Sequence, residues 1–272
     1  MGLALHCRYD RRKGIAPSPY PSLSLAEEGL TVGFSGGLCY DRKDAWQGLC
    51  RQDRSRGLIM DKLTRYSTEE LKCPQCGKVH MVKRYAVVNV TEKPELKEQV
   101  LMNKLFVFHC DQCDLTAPLT YETVYVDSKK QLLIYLAPEK TSNVEKSLAE
   151  WQKLDFRHKR LVDNLNDLKE KILIADNLLD DRIVEFMKIE HLKQLENEMK
   201  DDNLLNILFD YQGTQYYLMV FFEKKGIGRI PVSQEYYRDV EHRYSHRMGK
   251  KIDKNFMEVD MRWAGDIMFD RN

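Results

Sequence analysis

Two short cysteine turns, Cys73-Pro74-Gln75-Cys76-Gly77 and Cys110-Asp111-Gln112-Cys113, constrain this chain more than any other feature. In a C-x-x-C turn the backbone amides after the first cysteine point at the sulfurs and offset part of the thiolate charge. Four sulfurs presented this way suit one tetrahedral Zn²⁺ at ~2.3 Å. Pro74 stiffens the first turn, and Gly77 admits a left-handed backbone just after the second sulfur. A site with four protein ligands leaves no position for water or substrate, so the pattern predicts one structural zinc ion held by Cys73, Cys76, Cys110 and Cys113 rather than a catalytic metal. The stretch between Cys76 and Cys110 exceeds the ~15 to 20 residues of compact ribbons, so it must fold to bring the turns together.

A thiol-redox pair is the rival reading. Against it stand two motifs rather than one, and no clear strand-to-helix junction that would lower a thiol pKa. His80 and His109 are the candidates to replace a cysteine ligand, and four cysteines already suffice. Lys72, Lys78, Lys83 and Arg84 crowd the first turn. A zinc ion with four thiolates is a net anion, which explains nearby cations without nucleic acid.

Forty-three Lys plus Arg against 42 Asp plus Glu give no overall field to steer the molecule toward nucleic acid or lipid. No apolar run reaches the ~18 to 20 residues of a bilayer span. The N-terminal apolar run is short and followed at once by Arg8, Arg11, Arg12 and Lys13, which is not a secretory signal. The expected address is cytoplasmic, where paired C-x-x-C motifs are metal ligands more often than disulfides.

Residues 1-59 show neither helical nor strand period and are rich in Arg, Gly, Ser and Pro, which predicts a disordered or non-native arm, with the natural start expected near Met60. Residues 60-140 read as a β-rich zinc-binding domain. Its strand runs fall at 79–90, 105–108, 119–126 and 131–136, with a turn at Asp127-Ser128-Lys129-Lys130 and a short helix after Pro94. Residues 141-272 read as a C-terminal α+β domain. From Arg157 to about Glu196 a stripe of Leu161, Leu165, Leu168, Ile172, Ala175 and Leu179 steps at helical spacing, with a break at Asp176 to Asp181. The stripe is read as core, with a homodimer seam as the alternative. A β-β-α unit follows over about 204-248, with a hairpin at Gln212-Gly213-Thr214, a turn at Gly226-Ile227-Gly228 and Ser233 capping the helix. Residues 256–269 are predicted as a tail strand. The fold class is thus α+β: a small zinc-ribbon-like domain with a helical insertion, a helical segment and a β-β-α unit.

Four blocks in order, Leu71 to Gly77, Pro94 to Lys97, Leu105 to Cys113 and Leu132 to Pro138, resemble the CpXC domain, a bacterial and archaeal family named for two Cys-Pro-x-Cys motifs and without an assigned activity. Leu168 to Ile174, Leu179 to Arg182 and Gly226 to Gly228 resemble the C-terminal extension of many members. The resemblance places the family's cysteines on Cys73, Cys76, Cys110 and Cys113. The chain departs from it at Asp111, where proline is usual, and at Asp114, where glycine is.

No G-x-S-x-G elbow, P-loop or H-E-x-x-H helix is present. His242 and His246 lie one helical turn apart beside Glu241, but their charged surroundings read as a solvated face. Asp180, Asp181, Arg182 and Glu185 read as helix capping and i, i+4 neighbours rather than an acidic site. The sequence therefore points to a non-enzymatic interaction or adaptor module binding an unknown protein partner. A nucleic-acid-binding zinc ribbon is the alternative, and a thiol-redox enzyme is a third.

Overall fold

The computed structural model describes residues 63–139, 142–248 and 255–269. The arm expected over residues 1-59 lies outside them. A five-stranded sheet organises the first half, in the order β1 (Arg65–Lys72), β2 (Val79–Asn89), β5 (Thr123–Asp127), β6 (Leu132–Leu136), β7 (His158–Val162). β5 and β6 form an antiparallel hairpin, closed where Asp127 accepts from the Lys130 amide. Every residue of both strands is buried, because successive side chains serve opposite faces. Tyr125, Ile134 and Leu136 point to a core shared with helix α1 (Glu95–Leu101) and helix α3 (Leu165–Asp176). Val124, Val126, Leu133 and Tyr135 point to a second core under helix α2 (Ser142–Trp151), where Trp151 is buried. Each fully buried aliphatic or aromatic side chain contributes roughly 1.5 to 3 kcal/mol, so these two layers hold the frame.

β2 runs parallel to β5, and β6 parallel to β7, so each pair needs a crossover. The second crossover carries α2. The first carries α1 and then a small hairpin of β3 (Val107–His109) and β4 (Thr116–Pro118), which is a separate two-stranded sheet.

The helical stripe begins later than the sequence predicts. Leu161 lies on β7, not on a helix, and packs on the α2 side while Val162 faces α3. The step from Leu161 to Leu165 fits a helix by coincidence, since Asn164 caps α3 by accepting from the Asp167 amide. The expected break is present: α3 ends at Asp176, and Asp180 caps α4 (Asp181–Gln194) through the Arg182 amide. A short turn of helix, α5 (Glu196–Met199), leads to the second sheet.

That sheet has three antiparallel strands, not two: β8 (Leu204–Gln212), β9 (Gln215–Phe222) and β10 (Gly226–Val232). The expected turn at Gly226-Ile227-Gly228 is the start of β10. Only Gly226, at φ 81°, leaves a turn whose amides Asp202 caps at Lys224 and Lys225. Pro231 is tolerated because β10 is an edge strand. Helix α6 (Gln234–Tyr244) follows its Ser233 cap as predicted. The tail is helix α7 (Met261–Met268) rather than a strand. Asp260 caps it through the Trp263 amide, and Ala264 enters the core against α4. The Asp260 cap decides the backbone there.

The α+β class expected from sequence is what the chain adopts. Asp61–Asn272 forms one compact unit, in which α3 packs on both sheets. No helix among the described residues is long and apolar enough to cross a membrane.

Candidate metal centre

Each C-x-x-C turn sits at a hairpin tip, and the two tips are built alike. In the first, between β1 and β2, the Cys73 amide donates to the Lys78 carbonyl and the Gly77 amide to the Cys73 carbonyl. In the second, between β3 and β4, the Cys110 amide donates to Leu115 and the Asp114 amide to Cys110. The residue after each second cysteine has positive φ: 77° at Gly77 and 58° at Asp114. Asp114 therefore holds the backbone that glycine holds in the other turn, at a cost of about 1 kcal/mol for a residue with a Cβ. An Asp114→Gly substitution is expected to tighten metal binding roughly threefold to tenfold, read by competition with a chromophoric chelator. Gly77→Ala is expected to weaken it by a similar factor. A Cβ there meets only Lys72 Cε at 3.5 Å, so the penalty is conformational rather than steric.

The four sulfurs lie within 4.8 Å of one another. Cys73 Sγ is 3.7 Å from Cys113 Sγ, and Cys76 Sγ is 3.5 Å from Cys110 Sγ. A tetrahedron with ~2.3 Å metal–sulfur bonds has sulfur–sulfur edges of about 3.8 Å, so the cage already has the right size. Cys73 and Cys110 are buried, Cys113 half-buried and Cys76 exposed. Phe108, Leu71, Val82 and Leu115 form a small apolar floor beneath them.

The electrostatics of the cage are uneven. Burial alone would raise the Cys73 thiol, but the amides of Cys76 and Gln75 and the neighbouring sulfurs outweigh it and bring the pKa to about 6. At Cys113 the Leu115 amide pulls down, yet burial and the three other sulfurs prevail and push the pKa up to about 12. Four thiolates cannot coexist here without a cation to neutralise them.

Of the two histidines considered as substitute ligands, neither joins the four-sulfur cluster. His80 Nε2 lies 3.2 Å from Cys110 Sγ and its ring stands edge-on to Phe108 at 5.3 Å. With Cys110 and Asp111 it forms a second group of possible ligand atoms within 4.8 Å of one another, and beside the four sulfurs it is placed to support Cys110 from the outer shell. His109 is exposed, with Nδ1 3.2 Å from the Thr116 hydroxyl. Asp111, where the resembled family has proline, receives Lys78 Nζ through both carboxylate oxygens at 2.8 and 2.9 Å. What the second turn loses in stiffness it recovers as an ion pair to the first. Sequence reading noted Lys78 and Asp111 separately, and only the meeting of the tips pairs them.

His242 and His246 are exposed on and just after α6 and belong to no ligand cluster among the described residues. Asp180 is the helix cap that the sequence implies. Asp181 and Glu185 are more than that: they belong to a buried charge network that the sequence reading did not foresee. Arg160 on β7 grips Asp181 at 2.6 and 2.7 Å. Lys171 on α3 reaches Glu185 at 2.8 Å and Asp181 at 3.4 Å. Lys188 on α4 joins Glu170 at 2.8 Å to Glu185 at 3.0 Å. Glu170 also accepts from the Phe209 amide on the outer edge of β8. Burial would raise Asp181, but Arg160 and Lys171 hold it well below the usual carboxylate range. Three cations and three carboxylates close on each other, the arrangement of a structural tie between the sheets. The available signal was Lys169-Glu170-Lys171 running through the apolar stripe of α3.

No curated protein and no solved structure matches the chain. The family model described as CpXC protein matches residues 71–188, which span both cysteine turns, α3 and the first part of α4, in agreement with the resemblance carried by the four motif blocks.

Proposed function

We propose that Cys73, Cys76, Cys110 and Cys113 hold one structural zinc ion and that the protein is a non-enzymatic, zinc-stabilised interaction module. The observation that carries this reading is the closure of four sulfurs within 4.8 Å of one another, two of the separations near the tetrahedral edge length, from two like-built turns; four such ligands leave no position for a reacting group. Thiolates suit zinc, which has no redox chemistry and a tetrahedral preference. In a filled cage the sulfurs are poor nucleophiles, which counts against thiol-redox chemistry.

The nucleic-acid alternative draws on the lysines near the first turn. Two of the four cations there are already engaged, Lys78 by Asp111 and Arg84 by Glu69 at 2.9 Å, which weakens that reading. The test is affinity purification of the full chain from its host, with nuclease-treated and untreated samples compared, alongside metal analysis of the purified protein. One zinc per chain and a protein partner that survives nuclease and salt is the expected outcome. A nucleic-acid complex that weakens steeply with salt would replace the proposal with the alternative, and a metal-free chain of equal heat resistance would remove both.

A further inference from the structure

A cleft of about 440 Å³ lies beside the metal centre, between β2, β3 and the segment after α1. Residues 80–83 of β2 and all three residues of β3 line it. Side chains alternate along a strand, so consecutive residues share a cleft when that cleft runs along the strand's edge. The pairing agrees. β1 covers one side of β2 from Val79 to Val87, but on the other side β5 pairs only with Val87, Val88 and Asn89. β3 pairs with β4 on one side only. Among the described residues, no strand pairs with the outward backbone groups of residues 79–86 or with the free side of β3, and only the Tyr85 amide has a side-chain neighbour, the Tyr121 hydroxyl.

The free edges of β1 and β4 are blunted. β1 is exposed along nearly its whole length but carries Arg65, Glu69, Glu70 and Lys72, and β4 carries Pro118, the devices that discourage strand addition. The cleft instead exposes apolar side chains, Met81 at 63% and Val107 at 42%. It is also one-signed: Lys83 and Lys104 line it with His80 and His109, and no carboxylate does. Neither lysine has an ion-pair partner among the described residues, and the Lys83 ammonium lies 5.1 Å from the centre of the Tyr66 ring, a contact that leaves its charge unneutralised.

We infer that the open edge of β2 beside the metal centre is a docking site for an extended acidic segment of a partner protein, added as a strand with its acidic side chains toward Lys83 and Lys104 and its apolar ones toward Met81 and Val107. Main-chain hydrogen bonds then supply affinity and the alternating side chains supply selection. The inference rests on the proposed interaction role and specifies where and what the module binds.

The experiment uses the full, metal-loaded chain and fluorescein-labelled octapeptides of alternating valine and glutamate. The same peptide N-methylated at alternate residues, a valine/lysine peptide and a single-stranded oligothymidylate are the comparisons. The valine/glutamate peptide is expected to bind, and N-methylation to weaken it at least tenfold by removing strand hydrogen bonds. The Lys83→Glu/Lys104→Glu double variant, checked for retained metal, is expected to lose the acidic peptide by tenfold or more and to gain the valine/lysine peptide. Equal binding of the N-methylated peptide, no peptide binding, or preference for oligothymidylate would each overturn the inference. So would concentration-dependent dimerisation abolished by the double variant, since the occupant would then be a second copy. A host partner captured equally by the wild type and the double variant overturns the docking site while leaving the module reading intact, whereas absence of metal from the natural protein overturns the module reading itself.

Discussion

Stripping the metal with a strong chelator is expected to unfold the two cysteine hairpins and leave both sheets standing. The apolar floor of the cage is small, with Cys73, Phe108 and Cys110 as its buried members. Apparent binding free energies of structural zinc reach roughly 10 to 16 kcal/mol in small fingers, so a zinc ion held by these sulfurs would dominate the local balance. The frame is different. β5, β6 and the helices over their two faces bury extensive apolar surface that does not involve the sulfurs. Hydrogen exchange followed by mass spectrometry distinguishes the two regions. Peptides covering residues 71–83 and 106–119 are expected to exchange roughly a thousandfold faster without metal, while those covering 123–136 keep their protection. Cys110→Ser, which removes a buried ligand and the sulfur that His80 supports, is expected to reproduce the loss. Cooperative loss of protection throughout the chain would show that the frame depends on the cage after all.

Breaking the buried charge network is expected to destabilise the whole unit by about 3–5 kcal/mol, the usual consequence of leaving an unpaired charge inside a protein. Asp181→Asn leaves Arg160 and part of Lys171 without their counter-charge, and Arg160→Met strands Asp181. Urea denaturation checks both, with the midpoint falling by one molar or more for m values of about 1–3 kcal/mol per molar. Exchanging Arg160 and Asp181 together for apolar residues of similar volume should cost far less than either alone, because burying the pair already carries a desolvation penalty. The pH dependence has a defined sign. Asp181 titrates below its ordinary value, so its contribution is fully present above about pH 4 and is lost as pH falls through the folded value. Burial would lower Lys171 and Lys188, but Glu185 and Glu170 lead the opposing effects and hold both above the ordinary lysine range. Their contribution is complete below about pH 10.4 and fades at higher pH. Glu170 runs the other way: burial prevails over Lys188 and raises it, so ionising it subtracts stability as pH rises past about 4.3. If Asp181→Asn left stability unchanged at neutral pH, the network would be ornamental to the fold.

The cysteine turns were legible in the sequence because their chemistry is local: spacing, Pro74 and Gly77 specify a tip regardless of what surrounds it. The β5–β6 hairpin and helix α6 were legible for the same reason, through the Asp127 turn and the Ser233 cap. β1 and β7 were not, since each owes its state to a neighbour. β1 is polar and exposed, and only pairing with β2 makes it a strand. β7 carries Lys159 and Arg160 into the interior, and the Arg160 charge is tolerated because Asp181 arrives from another element. Period and propensity describe a segment alone, whereas buried charges and edge strands are settled by partners distant in the chain. Lys78 and Asp111 show the same limit at the site itself.

The hairpin that supplies Cys110 and Cys113 is spliced into the crossover between β2 and β5, downstream of α1. Its ends are therefore anchored by a completed β-α-β connection, and its own length has no bearing on strand register in the frame. Residues can therefore be added to that arm, removed from it or recharged without disturbing the frame, provided the sulfurs still meet.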